Sequence, residues 1–336
     1  MPSQRERLSS GLWPSFARSL GWAVARFYLS DPRLSYLVGT RYPTFASFAA
    51  DMVNQSAYLL RRERVLARSA VVTVELTNAC NLRCAMCPAA HHMKRPKAQF
   101  PLAMYRRLLD ANPELRRIIL ADWGEPLLHP EAATFVRLAA LRGIQAMITT
   151  NGTLLDDRRA RELLDAGLHI MRFSLDGVDQ TYHDLRGVEY DRVRRAILGF
   201  LELRDAGNYR TAVEISCVVG ERSVASVQAL RDEWTPRVDF VNFQGQLLYG
   251  GPTERTRPCR ELYRSLTLLA GGEVVPCCVD YDGVLAIGNL RDEIRLPILA
   301  NSPRLCELRR AHQSGHLPPF CRNCVEFTSP TAPRRF

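Results

Sequence analysis

The sequence contains no uninterrupted run of about eighteen apolar residues, so nothing in it reads as a helix that crosses a bilayer. It also lacks a clear secretory signal. The apolar run near the N-terminus is broken by Arg18 and Arg26, and no clear cleavage site follows it. No Lys/Arg run is interleaved with aromatics and no nucleic-acid motif occurs, so the net charge of +10 does not by itself point to DNA or RNA. The excess is local: residues 1–70 hold ten Arg against four acidic residues, while the rest is closer to balance. With no secretory signal, the ten cysteines do not read as a disulfide framework. They place the chain in a reducing cytoplasm, where clustered thiols hold metal more often than they pair. At 336 residues, with 46% hydrophobic and 24% charged content, there is room for one large globular domain and a small one.

Residues 11–29 have helical periodicity, with Trp13, Phe16, Leu20, Val24 and Phe27 on one stripe and Ser15, Arg18, Ser19 and Arg26 opposite. Such a helix either rests on an anionic membrane surface, making the protein peripheral to it, or packs on the main domain. A second helical segment, residues 44–68, ends in Arg61-Arg62-Glu63-Arg64, which reads as a solvated face. From Val71 onward strand and helix signals alternate. Strand-like runs cover 71–76, 117–121, 145–150, 169–175, 211–219 and 237–244; helical patterns cover 102–110, 131–142, 155–166, 192–205 and 223–234. Six such units predict a parallel sheet with helices outside. Six is too few to close an eight-unit barrel. The expected fold is therefore α/β: a partial (β/α)6 TIM-like barrel over residues 71–245, preceded by a helical extension over 1–70, with its site on loops at the C-terminal strand ends. Residues 246–336 change character, with short strand-like pieces, many turns and six of the ten cysteines. That composition predicts a small α+β domain held by a metal centre.

The chain is organised around Cys80-Asn81-Leu82-Arg83-Cys84-Ala85-Met86-Cys87-Pro88, directly after the first strand. Three thiols in a C-x3-C-x2-C spacing can converge on one inorganic centre. A structural zinc takes four closed ligands, so it would need His91 or His92 as well. Three thiolates on a four-iron cube leave one iron open for chemistry. That spacing resembles the signature of the radical S-adenosylmethionine (SAM) enzymes. The resemblance extends to three loops. Trp123-Gly124-Glu125-Pro126 is similar to the family's Gly-Gly-Glu-Pro loop, where carbonyls and the Glu accept hydrogen bonds from the methionine ammonium; here Trp123 replaces the first Gly, so its backbone must avoid φ > 0. Thr150-Asn151-Gly152 ends the third strand as in similar enzymes, or is simply a turn. Ser174-Leu175-Asp176-Gly177, with His183 and Arg186 beyond, resembles the fourth-strand region. It implies that Ser174 and Arg186 hold the methionine carboxylate, with Asp176 capping the turn and His183 structural. The family implies a [4Fe–4S] cluster that binds SAM, cleaved reductively to methionine and a 5′-deoxyadenosyl radical, with an electron donor such as flavodoxin or ferredoxin.

Cys259, Cys277, Cys321 and Cys324 form a second set, and four thiolates close a centre completely. On spacing alone, zinc and a four-iron cluster fit equally. The pattern Cys-x12-Gly-x4-Cys, then Ile287-Gly288-Asn289-Leu290, then C-x2-C, resembles the auxiliary-cluster domains called SPASM or Twitch, in a shortened one-cluster form. Cys217 and Cys306 read as core. Cys278 is an alternate ligand, a hydrogen-atom donor or a packed neighbour; it and Asp280 are the candidate catalytic residues, and Tyr249 and Arg260 candidate lining residues. A closed second cluster suits electron removal, which implies oxidation of a small molecule such as a sugar or aminocyclitol. Epimerisation, carbon dioxide elimination, peptide maturation and a lipid-linked substrate are the alternatives. Outside catalysis, a zinc-stabilised binding protein remains.

Overall fold

A computed structural model describes residues 45–66, 70–246, 255, 258–322 and 324 of the chain. The expected helix at 11–29 and the lining candidate Tyr249 lie outside the described residues. Six strands run parallel: β1 (Val71–Val74), β2 (Arg117–Leu120), β3 (Gln145–Thr150), β4 (Ile170–Ser174), β5 (Ala212–Val219) and β6 (Phe240–Gly245). Each pairs with its neighbour in sequence, giving the order β6-β5-β4-β3-β2-β1 with no switch of direction. That progression is a partial TIM-like barrel. Strands β2 to β5 are buried nearly throughout, as parallel strands covered on both faces must be. Strand β6 is half-exposed and forms the open edge.

The helices follow from spacing and caps. Helix α1 (Phe45–Leu59) precedes the sheet, α2 (Pro88–His92) follows the cysteine triplet, and α3 (Leu102–Ala111), α4 (Ala132–Ala140) and α5 (Asp157–Asp165) cover the first crossovers. Asp156 caps α5 by accepting the Arg159 amide at 2.8 Å. Helix α6 (Asp179–Arg186) is absent from the sequence expectation, which treated this stretch as a strand-end loop. It is short, only Tyr182 and Leu185 are buried along it, and it stops at Gly187, whose φ of 73° is the left-handed cap that glycine favours. Helix α7 (Tyr190–Ala206) buries Val193, Ile197, Phe200 and Leu201, a stripe at helical spacing. Helix α8 (Val227–Trp234) starts later than expected because residues 224–226 form a 3₁₀ turn.

The C-terminal segment continues the same sheet. Strand β7 (Thr267–Leu268) adds in parallel to β1, pairing Thr73 with Thr267 and Val74 with Leu268; β8 (Glu273–Val275) and β9 (Gly288–Asn289) follow antiparallel. Helices α9 (Leu296–Leu299), α10 (Pro303–Gln313) and α11 (Pro319–Arg322) complete it. The basic run after α1 is docked as well as solvated: the Glu63 carbonyl accepts from Arg309 at 2.8 Å, and the Arg62 carbonyl accepts the Tyr263 hydroxyl at 3.0 Å. No helix among the described residues is long and apolar enough to cross a membrane. Leu268 is fully buried where β7 meets β1. Leu268→Ala is expected to cost about 2–5 kcal/mol in chemical denaturation; a change within about 0.5 kcal/mol, as at a surface site, would mean the junction carries no packing.

Candidate active site

The first thiol set sits on the loop leaving β1. Its base is pinned by the returning chain: the Thr77 hydroxyl donates to the Ala98 carbonyl (2.8 Å), and Asn78 Nδ2 donates to Pro96 (2.8 Å) while its Oδ1 accepts the Ala98 amide (2.8 Å). The Cys87 amide donates to the Cys84 carbonyl at 3.0 Å, turning the loop back on itself, and the Ala85 amide donates to Leu185 of α6 at 2.8 Å. Donors then approach the sulfurs. The Leu82 amide lies 3.5 Å from Cys80 Sγ, Asn151 Nδ2 4.0 Å from Cys80 Sγ, and Arg186 Nη1 3.8 Å from Cys84 Sγ. Burial pushes the Cys80 and Cys84 thiols above their ordinary pKa; the thiols raise one another further, and Arg186 opposes the shift at Cys84. The three cysteines therefore face one another electrostatically. His91 places a ring nitrogen 3.2 Å from the Cys84 carbonyl.

The loop after β2 meets this one through backbone. A Cβ added at Gly124 would fall 1.9 Å from the Thr77 carbonyl oxygen, so only glycine fits. Trp123, where the resembling motif has glycine, is not among the residues with positive φ. The Glu125 carboxylate is buried and accepts the Leu127 amide (3.0 Å), the Thr150 hydroxyl (2.7 Å) and the Asn151 amide (2.8 Å). Burial raises its pKa while those bonds hold it down. Asn151 Nδ2 also donates to Asn81 Oδ1 at 3.0 Å, and Asn81 donates to Thr153 at 2.8 Å. Pro126 begins the 3₁₀ turn that follows.

Ser174 ends β4, half-buried. Arg186 closes α6 and is engaged on two sides: Nε donates to Asp176 Oδ2 at 2.7 Å, and Nη1 faces Cys84. Burial would lower the guanidinium pKa, but Asp176 and Cys84 together raise it. Asp176 does more than cap a turn. Its other oxygen accepts the Val218 amide at 2.7 Å, tying β4 to β5. His183 Nδ1 lies 2.9 Å from a carboxylate oxygen of Glu189. Beside the triplet lies a cavity of about 110 Å³ lined by Ala85, Met86, Leu185, Val218, Gly220 and Gln246, among others. A Cβ at Gly220 would meet Gln246 Oε1 at 2.1 Å, so a larger residue there would have to displace the end of that side chain at the cavity. The sequence reading passed over it; its signal was a glycine directly after a buried strand.

The second thiol set gathers from four places. Cys259 lies before the 3₁₀ turn Glu261–Tyr263, Cys277 follows β8, Cys321 is on α11, and the Cys324 amide donates to the Cys321 carbonyl at 3.3 Å. Burial raises the Cys277 thiol well above its ordinary pKa, with Cys259 and Cys324 adding to it; burial and the same two cysteines push Cys321 to about 12. Arg255 Nη2 approaches Cys324 Sγ at 3.8 Å. Burial, with Arg255 near it, holds His312 down at about 4. Cys278 is exposed and its carbonyl accepts the Trp123 indole N–H at 2.6 Å, so the loop after β2 touches the auxiliary region directly. Trp123 also meets Tyr281 edge-to-face at 5.5 Å. Asp280 engages its own turn: its oxygens accept the Val284 (2.9 Å) and Leu285 (2.7 Å) amides. Arg260 stacks on Tyr58 of α1, 5.5 Å from the ring centre. Cys217 and Cys306 are buried in the core.

A family model described as the radical SAM superfamily matches residues 74–222, and one described as an iron–sulfur cluster-binding domain, SPASM, matches 259–325. The chain carries a radical SAM domain and, C-terminal to it, a SPASM domain. Among curated relatives, the tungsten-containing aldehyde ferredoxin oxidoreductase cofactor-modifying protein of Pyrococcus furiosus is 30% identical over 166 residues, 47% of this chain and 46% of that protein. The chain spans less than half the length of the curated relatives it matches most strongly. Among solved structures, BtrN in complex with AdoMet and 2-DOIA superposes with a TM-score of 0.54 at 17% identity, over 79% of this chain and 96% of BtrN. Streptococcus suis SuiB bound to S-adenosylmethionine gives 0.56 at 15% identity, over 85% and 79%. At these identities the likeness is one of fold.

Radical SAM domains take a [4Fe–4S] cluster with SAM, and SPASM domains take auxiliary iron–sulfur clusters. The donor sets fit such groups. Both sets consist of thiols alone, the donor that iron–sulfur clusters take; among the described residues no three His, Cys, Asp or Glu side chains are grouped to hold a single metal ion. One residue that the sequence reading missed is Asp122, after β2. Its Oδ2 is buried and has no hydrogen-bond partner among the described residues. Burial lifts its pKa well above the ordinary value, Glu75 and Asp280 add to the shift, and Arg95 opposes it. No local pattern marks it; its role comes from what surrounds it. Because Gly124 presses on the Thr77 and Ala79 carbonyls, Gly124→Ala is expected to lower SAM affinity at least tenfold in equilibrium dialysis, with iron content retained; unchanged affinity would show that this backbone approach is dispensable.

Proposed function

We propose that the protein is a radical SAM enzyme that oxidises a hydroxyl-bearing small molecule, such as a sugar or an aminocyclitol, at an otherwise unreactive C–H bond. The single observation that carries the substrate class is Asp122. It stands between the Gly124–Glu125 loop and the Cys277–Cys278 loop, with a buried carboxyl oxygen that awaits a polar partner. A hydroxyl or amine of a polar substrate satisfies it, whereas an apolar side chain would not. BtrN, whose structure holds 2-DOIA, is spanned over 96% of its length, which supports the same class.

In this reading Cys80, Cys84 and Cys87 hold the SAM-binding cluster, and Cys259, Cys277, Cys321 and Cys324 the auxiliary one. When bound, these groups supply a 5′-deoxyadenosyl radical that removes a hydrogen atom, and an acceptor for the remaining electron. The chain does the rest. Gly124, Glu125 and Pro126 shape the loop whose carbonyls would take the methionine ammonium. Asn151 orients the triplet through Cys80 and Asn81, and Ser174 and Arg186 would hold the methionine carboxylate. Asp122 Oδ2 binds the substrate hydroxyl and takes its proton as the carbonyl forms. Residues 71–245 carry the first site and 246–336 the second, with 1–70 as an N-terminal extension. An acidic one-electron carrier such as flavodoxin or ferredoxin supplies the reducing electron. A peptide substrate is the second reading, favoured by the likeness to SuiB, of which a structure bound to the precursor peptide SuiA exists.

Anaerobic reconstitution tests both. Cys84→Ala is expected to abolish 5′-deoxyadenosine formation, and Cys321→Ala to remove about one cluster's worth of iron. With deuterated sugars and aminocyclitols, deuterium should appear in 5′-deoxyadenosine, and Asp122→Asn should cut product formation by about 10²–10⁴. Deuterium transfer from a peptide panel alone would sink the small-molecule reading.

A further inference from the structure

Helix α10 grips the segment that carries Cys259 at two points one turn apart. Arg309 donates to the Leu262 carbonyl from Nε (2.9 Å) and Nη2 (2.7 Å), and its guanidinium lies 4.9 Å from the centre of the Tyr263 ring. His312 is only 3% exposed and accepts the Cys259 amide on Nδ1 at 3.3 Å. That bond assigns the tautomer: a nitrogen that accepts carries no proton, so the ring hydrogen is on Nε2. Nε2 is itself buried, and among the described residues nothing accepts from it. Buried donors are almost always paired. Arg255, close enough to act on the imidazole electrostatically, reaches Cys324 Sγ. The imidazole thus sits against the backbone of Cys259, with Arg255 near it and reaching Cys324; one nitrogen is spent on that backbone and the other carries an N–H with no acceptor among the described residues.

We propose that His312 is a positioning residue of the auxiliary site, which fixes Cys259 through Nδ1 and donates its Nε2 hydrogen to a sulfur of the bound cluster. The inference rests on the reading of the four cysteines as an iron–sulfur site. A hydrogen bond to a cluster sulfur stabilises the reduced, more negative state, so it raises the reduction potential. His312 thereby makes the auxiliary cluster a better electron acceptor, which is what a net oxidation requires of it. No proton is transferred, and the ring stays neutral.

Two replacements separate the two nitrogens. The amide of Asn overlaps Nδ1 and can still accept from Cys259, but lacks the far donor. The amide of Gln reaches the Nε2 position and restores it. The experiment is a redox titration of the full-length, anaerobically reconstituted protein, followed by electron paramagnetic resonance, with iron counted on the same samples. SAM alters only the signal of the cluster with an open iron, which tells the two clusters apart. His312→Asn should lower the auxiliary potential so that its reduction equilibrium shifts about tenfold, equivalent to about 59 mV for a one-electron couple. His312→Gln should return most of that shift, and the SAM-binding cluster should not move in either variant. Equal auxiliary potentials in wild type, Asn and Gln variants would overturn the proposal while leaving the cluster assignment intact, as would a water-filled site in which both variants shift alike. If either variant loses the second cluster, His312→Ser, which keeps a short polar side chain and no far donor, takes its place against wild type under the same criterion. Wild-type protein with iron for one cluster only would overturn this proposal and the four-cysteine assignment together.

Discussion

The buried carboxylate of Glu125 is the constraint on which the first site depends. Three donors converge on it: the Leu127 amide in its own loop, and the Thr150 hydroxyl and Asn151 amide at the end of β3. Burying such a group is costly unless its oxygens are bonded, and here three bonds offset the cost. The result is a fixed angle between the loop after β2 and the end of β3. Gly124 then lies against Thr77, and Asn151 reaches Asn81 and Cys80. One carboxylate thus sets the relative placement of three of the loops that the site uses. On the far side, Asp176 plays the same part for β4, β5 and Arg186.

Charge is arranged to favour thiolates where burial alone would oppose them. Without partners, the low-dielectric surroundings of Cys80 and Cys84 keep them protonated. Arg186, the Leu82 amide and Asn151 Nδ2 supply positive ends of dipoles or full charge around them. The second set has Arg255 at Cys324 and the neutral ring of His312 at Cys259. Each set thus has a guanidinium 3.8 Å from one of its sulfurs, Arg186 at Cys84 and Arg255 at Cys324.

Much of this was legible in the sequence, for identifiable reasons. The six parallel strands read almost residue for residue because strands covered on both faces become short continuous apolar runs. The thiol spacings were legible because inorganic centres impose their geometry on nearby residues. Helix α6 was not, since eight residues with two buried positions give too little periodicity, and Asp179 enters it at a φ of 47° that no propensity anticipates. The parallel pairing of β7 with β1 rests on two residues separated from their partners by most of the chain. Asp122 and His312 are ordinary in sequence; distant neighbours give them their roles. The cation–π contact of Arg260 with Tyr58 and the self-capped turn of Asp280 were not legible for the same reason, because neither is a local pattern.

The position of β1 has a consequence for how this chain can be divided. The strand that delivers the cysteine triplet is flanked by β2 on one side and by β7, from the SPASM region, on the other. Excising everything after residue 246 would leave Val71-Val72-Thr73-Val74 as a bare edge, uncharged, β-branched and free of proline. Such edges recruit strands from other molecules. The SPASM region thus serves the barrel as a lid on its stickiest edge, and the two parts are bound to persist or aggregate together.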